Sequence, residues 1–367
     1  MLSFILKMER LINRIRVKRN SRNPLWRSLF RGKDFLWNKV RPAWRNDIRP
    51  FFIRGYISEL GVKIPVKSVA VERLFRRRIH KRYGRLADNL VFADDKNTVT
   101  TKSDYVLSRG CQCCKEGTWL NVFVGMRCNL DCLFCGGPAV NVREDEPEGH
   151  QNGMSFETFV ETILEQGDRI QGVSYSGGEP LLYLESKVIP LAEMLCKRKA
   201  GIYQWLYTNG VPATPDSMKK LADSGIDEVR VDLAATGFDE GVMDKLSMMR
   251  SIVGKVTVQV PSIPEVYDKL VSGKLIPRLI DNGVELLNLQ ELYVRTPKAT
   301  AYLKDKDVYY SRMGLLSPTE SRGITADIME HVIENNLPIL VNDCSNDAVF
   351  VWRSNLAFDR GIFRKPF

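Results

Sequence analysis

The chain has 367 residues, 44% of them hydrophobic, and a net charge of +10 from 54 Lys and Arg against 44 Asp and Glu. That is enough apolar material for a full core in roughly one large or two modest domains. No apolar run reaches the about 18 residues that a membrane-spanning helix needs.

The charge is uneven. Residues 1–100 hold 25 of the 54 basic residues but only 8 of the 44 acidic ones, so the remainder is mildly acidic. Such asymmetry points to contact with nucleic acid, a membrane surface or an acidic polypeptide. The apolar start, Leu2 to Leu6, is interrupted at once by charge and has no small-residue cleavage site, which argues against a secretory signal. An Arg-rich, acid-poor transit peptide is the alternative for this stretch. Cytoplasm is the expected location, and there cysteines serve as metal ligands or catalytic groups rather than disulfides.

Residues 1–105 read as a basic, mainly helical region. Leu2, Ile5, Leu6, Leu11, Ile12 and Ile15 are spaced for one face of a helix, with Lys7, Arg10, Arg14 and Arg16 on others. Trp26, Trp37 and Trp44 are interleaved with arginines. This pattern suits a helical layer packed on the main domain, an arginine and aromatic surface for nucleic acid, or a surface for peptide or membrane.

From residue 106 to 345 short apolar runs alternate with helical patterns. Strands are expected at 118–125, 172–178, 203–210, 228–236, 255–263, 285–294 and 337–343. Helices are expected at 155–167, with a Ser-x-x-Thr start, at 185–199, and after Thr214-Pro215-Asp216, where Thr caps and Pro takes the first position. Regular alternation predicts an α/β fold with a parallel sheet, open or closed as a partial barrel. Ligands then bind at the C-terminal strand ends. Residues 346–367 form a C-terminal tail.

Six of the eight cysteines lie between residues 111 and 135. Cys128, Cys132 and Cys135 form C-x3-C-x2-C on one loop directly after a strand. Three thiolates on one short loop can hold three irons of a cubane cluster and leave the fourth iron open. Structural zinc prefers four ligands, commonly as two pairs, and fits this loop poorly. Ser176-Gly177-Gly178-Glu179-Pro180 follows the second strand. Its glycines would let backbone approach a ligand closely, and its carboxylate could receive an ammonium group.

This combination resembles the radical S-adenosylmethionine (radical SAM) superfamily over roughly residues 111–345. The C-x3-C-x2-C loop with the aromatic Phe134 before its last Cys is that family's defining motif, and the Gly-Gly-Glu-Pro segment follows in the expected order. The resemblance implies a partial (β/α)6-type barrel and a 4Fe-4S cluster held by Cys128, Cys132 and Cys135. It also implies an S-adenosylmethionine (SAM) site at Ser176–Pro180, with Thr208, Asn209 and Asp232 toward the ribose and carboxylate. Gln259 and Glu291 are further pocket candidates. The implied chemistry is reductive SAM cleavage and hydrogen abstraction, with an electron donor of flavodoxin or ferredoxin type.

Cys111, Cys113, Cys114 and Cys344 remain. Cys111-x2-Cys114 is a chelating spacing. The arrangement resembles a group related to the pyruvate formate-lyase-activating enzyme, which carries a C-x2-C-x2-G element upstream and a Cys-Ser near the C-terminus. A second metal site, an iron–sulfur cluster or zinc, is expected at Cys111, Cys114 and Cys344, with Cys113 as a fourth ligand. The competing readings are buried structural thiols, or a radical-quenching thiol at Cys113 or Cys344. Cys196 reads as a buried apolar thiol. His80, His150 and His331 lie in no Asp-x-His pattern of the kind a cobalamin-binding domain carries, and no phosphate-gripping loop or nucleophile elbow is present. The favoured substrate is a peptide or protein. The alternatives are RNA modification and a non-catalytic iron–sulfur sensor or nucleic-acid-binding protein.

Overall fold

The computed structural model describes residues 69–93, 98–135, 150–151, 154–293, 303, 306–310 and 316–345. All lie in a compact unit that begins at Ile57. The expected N-terminal amphipathic helix, the three early tryptophans and the C-terminal tail fall outside the described residues.

In chain order the elements are α1 (Val69–Arg85), β1 (Leu90–Ala93), β2 (Thr98–Thr101), α2 (Arg109–Glu116), β3 (Trp119–Phe123), β4 (His150–Gln151), β5 (Met154–Ser155), α3 (Phe156–Glu165), β6 (Gly172–Ser176), α4 (Ile189–Arg198) and β7 (Tyr203–Thr208). There follow α5 (Pro215–Asp223), β8 (Glu228–Val231), α6 (Glu240–Val253), β9 (Val256–Pro261), α7 (Pro264–Tyr267), α8 (Leu275–Asp281) and β10 (Leu286–Gln290). β11 (Val308–Tyr310), β12 (Leu316–Pro318), α9 (Thr319–Glu334) and β13 (Leu340–Cys344) complete the set.

Seven strands are parallel and neighbour one another in chain order, β3-β6-β7-β8-β9-β10-β13. The hairpin β1–β2 adds to β13 antiparallel. The seven parallel strands correspond to the seven expected runs, one more than a (β/α)6-type barrel has, and the hairpin extends the sheet beyond them. Residues 69–101, which composition groups with the basic region, supply a helix and two strands to this unit.

The helix starts follow local chemistry. The Ser155 hydroxyl accepts from the Thr158 amide, and Thr214 and Ser217 form a reciprocal capping box. The strand expected over 228–236 ends at Val231, because Asp232 accepts from the Ala234 amide and turns the chain into a short 3-10 helix.

In its central strands the sheet is buried on both faces. Its outer face carries Val229, Val231, Val258, Leu287 and Leu289 under the helices, all below 1% exposed. The inner face is largely polar. Glu228 and Arg230 on β8 form a buried ion pair at 3.0 Å. Thr257 and Tyr203 also donate to Glu228, and Arg230 donates to Ser108, Tyr207 and Gln259. Burial pushes the Glu228 carboxyl up, but Arg230 and these hydrogen bonds outweigh it and hold the carboxyl low. Helix α2 packs on β3, β6 and β7, and its Cys111 clusters with Leu286 and Leu340 at the starts of β10 and β13. It therefore covers the inner face toward the N-terminal strand ends and leaves the C-terminal ends to the site.

A second buried pair joins α9 to β13. Arg322 donates to Asp343 at 2.8 Å, and the Tyr83 hydroxyl of α1 donates to the same oxygen at 2.8 Å. Replacing Arg322 with Met should leave a buried carboxylate without its cation. The expected loss is about 3–5 kcal/mol in urea unfolding, well above the value for an exposed Arg→Met control.

Candidate functional site

The β3–β6 ladder does not stop at the strand ends. Val124 donates to Ser176 at 2.9 Å, Gly178 to Gly125 at 2.8 Å and Glu179 to Arg127 at 2.8 Å. These bonds hold the start of the cysteine loop against the Gly-Gly-Glu-Pro turn. A Cβ at Gly177 would stand 2.3 Å from the Gly125 carbonyl, and one at Gly178 would stand 2.1 Å from that of Arg127. Gly177 also has φ +143°, where side chains are disfavoured. The two glycines therefore serve loop-on-loop contact. Both glycines also line the cavity at these strand ends, where the sequence reading set backbone against a ligand.

Glu179 is the brace of this turn. Its carboxylate is 1% exposed. One oxygen accepts from the Leu181 amide at 3.1 Å and the Thr208 hydroxyl at 2.7 Å, and the other from the Asn209 amide at 2.8 Å. Burial raises its affinity for protons against these bonds. Both oxygens brace the β6 turn to the end of β7, and Glu179 stands in the wall of the cavity at these strand ends. Asn209 then reaches the cysteine loop, donating to Asn129 at 2.7 Å, while the Cys132 thiol lies 3.7 Å from the Ala235 carbonyl after β8. Four consecutive strand ends are joined in this way.

The joined loops enclose a cavity of about 250 Å³ at the C-terminal strand ends. Cys128, Cys132, Cys135 and Phe134 line one side. Ser176 through Pro180, Thr208, Asn209, Asp232 and Gln259 line the rest, so these sequence candidates converge on one space. Three thiols of one loop beside an open cavity suit an iron–sulfur cluster with one iron facing that space.

Asp232 is the titratable group of interest here. Burial raises its carboxyl to about 7 against hydrogen bonds from the Ala235 and Ala234 amides. Burial also raises the neighbouring Tyr207 phenol to about 12 despite Arg230.

Tyr207, Arg230, Gln290, Leu292 and Tyr293 also line the cavity and were not picked out in the sequence. Strand alternation carries the signal for several: Tyr207, Arg230 and Gln290 lie on the inner sheet face with Asp232 and Gln259. Glu291 falls on the other side. It is buried away from the cavity and accepts from Ser317 at 2.9 Å and from Tyr309.

Residues 122–257 match the Radical SAM superfamily. A protein of Methanocaldococcus jannaschii with the provisional name glycyl-radical enzyme activating enzyme is 26% identical over 195 residues, covering 51% of this chain and 50% of its own. The chain thus spans about half the length of this curated relative. Among solved structures, Streptococcus suis SuiB bound to S-adenosylmethionine covers 84% of this chain and 63% of its own, at 15% identity and a TM-score of 0.43. The same protein bound to its precursor peptide SuiA covers 73% and 61%, at 15% and 0.43. A radical SAM domain implies a 4Fe-4S cluster and SAM, and the matched residues begin in β3 and end in β9.

Four thiols lie outside the match and outside the cavity. Cys111, Cys114 and Cys344 stand within electrostatic reach of one another. Burial, then Cys111, raises the Cys344 thiol to about 12. Cys113 is apart from them, with its thiol against Gly172. That places it neither with the trio as a fourth ligand nor at the cavity as a quencher. Cys196 is exposed rather than buried. It lies at the end of α4, over the glycine turn at Gly225.

Gly178→Ala should separate the two loops. The variant is expected to fold, since the change lies outside the core, yet to lose SAM binding by at least tenfold in anaerobic calorimetry. An Ala at exposed Gly84 on α1, where nothing lies within 4 Å and φ is not positive, should leave binding within about twofold of wild type.

Proposed function

We propose that this protein is a radical SAM enzyme acting on a peptide or protein. The observation that carries the reading is the convergence of all three loop thiols and the Gly-Gly-Glu-Pro turn on one cavity. When bound, the cluster and SAM supply a one-electron cleavage that yields methionine and a 5′-deoxyadenosyl radical, which takes hydrogen from an unactivated carbon.

The chain's own residues position and shield. Cys128, Cys132 and Cys135 hold the cluster. The Gly177–Pro180 backbone faces SAM, and Glu179 keeps that backbone in place. Thr208 and Asn209 complete the brace, and Asp232 faces the ribose side. Phe134 and Tyr293 give apolar surface that excludes water. Arg230 does not act as a free cation, because Glu228, Ser108, Tyr207 and Gln259 use its donors.

A macromolecular substrate is supported by the activating-enzyme relative and by the basic N-terminal composition. Reduction would come from a flavodoxin-like or ferredoxin-like donor. The eight free cysteines accord with a cytoplasmic setting, and no described helix is long and apolar enough to cross a membrane. A second metal centre, iron–sulfur or zinc, completes the cofactor set.

Anaerobic incubation of the reconstituted protein with SAM and dithionite should release 5′-deoxyadenosine and methionine, and Cys132→Ala should reduce this to background. A fully iron-loaded wild type that releases none would overturn the reading. SAM affinity should also rise from pH 6 to pH 8, by up to about tenfold, as Asp232 loses its proton near 7. The ionised carboxylate accepts hydroxyl hydrogen bonds and attracts the sulfonium. Asp232→Asn should flatten that profile, and an unchanged profile would remove Asp232 from the SAM site.

A further inference from the structure

Among the described residues, Arg230 is the one cation that lines the cavity, and every N–H it has is spent. Its Nε and Nη2 donate to Glu228, and Nη2 also donates to Ser108. Nη1 donates to the Tyr207 hydroxyl at 3.2 Å and to the Gln259 side-chain oxygen at 3.4 Å. A guanidinium has five N–H donors and no acceptor, so these bonds exhaust it. Because it can only donate, it also dictates how the groups on Nη1 must point. That polarity runs along the inner wall both ways, to β7 and to β9.

On β9, Gln259 must turn its oxygen toward Arg230. Asn288 of β10 donates to the same oxygen at 2.8 Å. The Gln259 amide nitrogen is then left for Gln290, and it donates to the Gln290 oxygen at 3.4 Å. With its oxygen engaged, Gln290 keeps an amide nitrogen that donates to no described residue. On β7, the Tyr207 oxygen accepts from Arg230, and its own O–H donates to no described residue. Burial raises that phenol to about 12, so its hydrogen is in place at neutral pH. Tyr207 and Gln290 are both partly exposed, and both line the cavity. The wall therefore offers two neutral donors and no uncommitted cation.

We infer that Tyr207 and Gln290 are the substrate-facing donors of this site, and that they hold carbonyl oxygens of an uncharged peptide segment. A carbonyl accepts and never donates, so it suits a wall whose own acceptors are already engaged. A peptide presents one at every residue. An anion suits the wall poorly, because it would lose its hydration without gaining a free cation. Tyr207 lies two strands and Gln290 five strands along the sheet from β3, whose loop carries Cys128, Cys132 and Cys135. The two donors thus bracket the inner wall beyond the cysteine loop, with Arg230 and Gln259 between them. Held at both, a peptide has one stretch set against the cavity. The inference rests on the proposed radical SAM activity and names the substrate end of the same site.

The test gives SAM, dithionite and deuterated peptides to full-length protein reconstituted anaerobically. The peptides are short, N-acetylated and C-amidated, built from uncharged residues and deuterated on carbon. The readout is the fraction of 5′-deoxyadenosine that carries deuterium, with SAM affinity measured separately by calorimetry. Wild type should take deuterium from these peptides, and less from a matched pool that carries Asp and Glu. Tyr207→Phe and Gln290→Leu should each lower the labelled fraction by about fivefold, the effect of one lost hydrogen bond, and move SAM affinity by less than about threefold. An unchanged fraction in both variants, stronger labelling from the acidic pool, or no label from either pool would overturn the inference. So would a loss of about tenfold or more in the SAM affinity of both variants, which would give the donors to the SAM carboxylate. The two pools are compared on wild type, so the test still decides if a variant fails to fold. Unlabelled 5′-deoxyadenosine from wild type would leave SAM cleavage standing, whereas no 5′-deoxyadenosine at all would sink the proposed activity itself.

Discussion

The site depends on two backbone hydrogen bonds beyond the strand ends, from Gly178 to Gly125 and from Glu179 to Arg127. They carry the β3–β6 pairing into the loops. Without them the cysteine loop has no fixed position relative to the turn it must face. The glycines allow the approach, and the Tyr183 hydroxyl, which accepts from the Arg127 amide at 2.8 Å, closes it from behind. Glu179 then transmits the position to β7, and Asn209 returns it to the cysteine loop through Asn129. The result is a rigid rim built mainly from backbone, suited to a site that must hold a reactive species away from water.

Below that rim the interior is charged and polar, which is unusual for a core. Glu228 and Arg230 satisfy one another and five further groups, so the interior carries charge without leaving it unpaired. This matters for function as well as stability. A committed guanidinium cannot seize an anionic substrate, yet its field still reaches both the cavity and the thiols beneath it. Helix α2 is the element that places those thiols. Its N-cap, Ser108, accepts from the Cys111 amide and from Arg230, which ties the helix to the charged layer.

Much of this was legible in the sequence, for identifiable reasons. The parallel strands announced themselves as apolar runs between glycines and caps, and Thr214 and Ser155 marked their helices correctly. The cysteine loop and the Gly-Gly-Glu-Pro turn carry dense, ordered motifs, and they meet at one cavity. What failed was direction. The bracing bonds of Glu179 to Leu181, Thr208 and Asn209 were not legible, because they depend on tertiary contact. Glu291 was chosen over Gln290, and one residue of strand alternation reverses the face. Cys196 was read as buried from its helical pattern, although it sits at the exposed end of α4. Cys113 could not be told from Cys111 and Cys114 until the helix was placed.

The most direct measurement is electron paramagnetic resonance of the dithionite-reduced protein with and without SAM. If the cysteine loop and the turn form one site, SAM should change the spectrum of the reduced loop cluster, and Gly178→Ala should retain the iron but lose that change. An identical spectrum with and without saturating SAM, in fully loaded wild type, would contradict the central claim that cluster and SAM share this cavity.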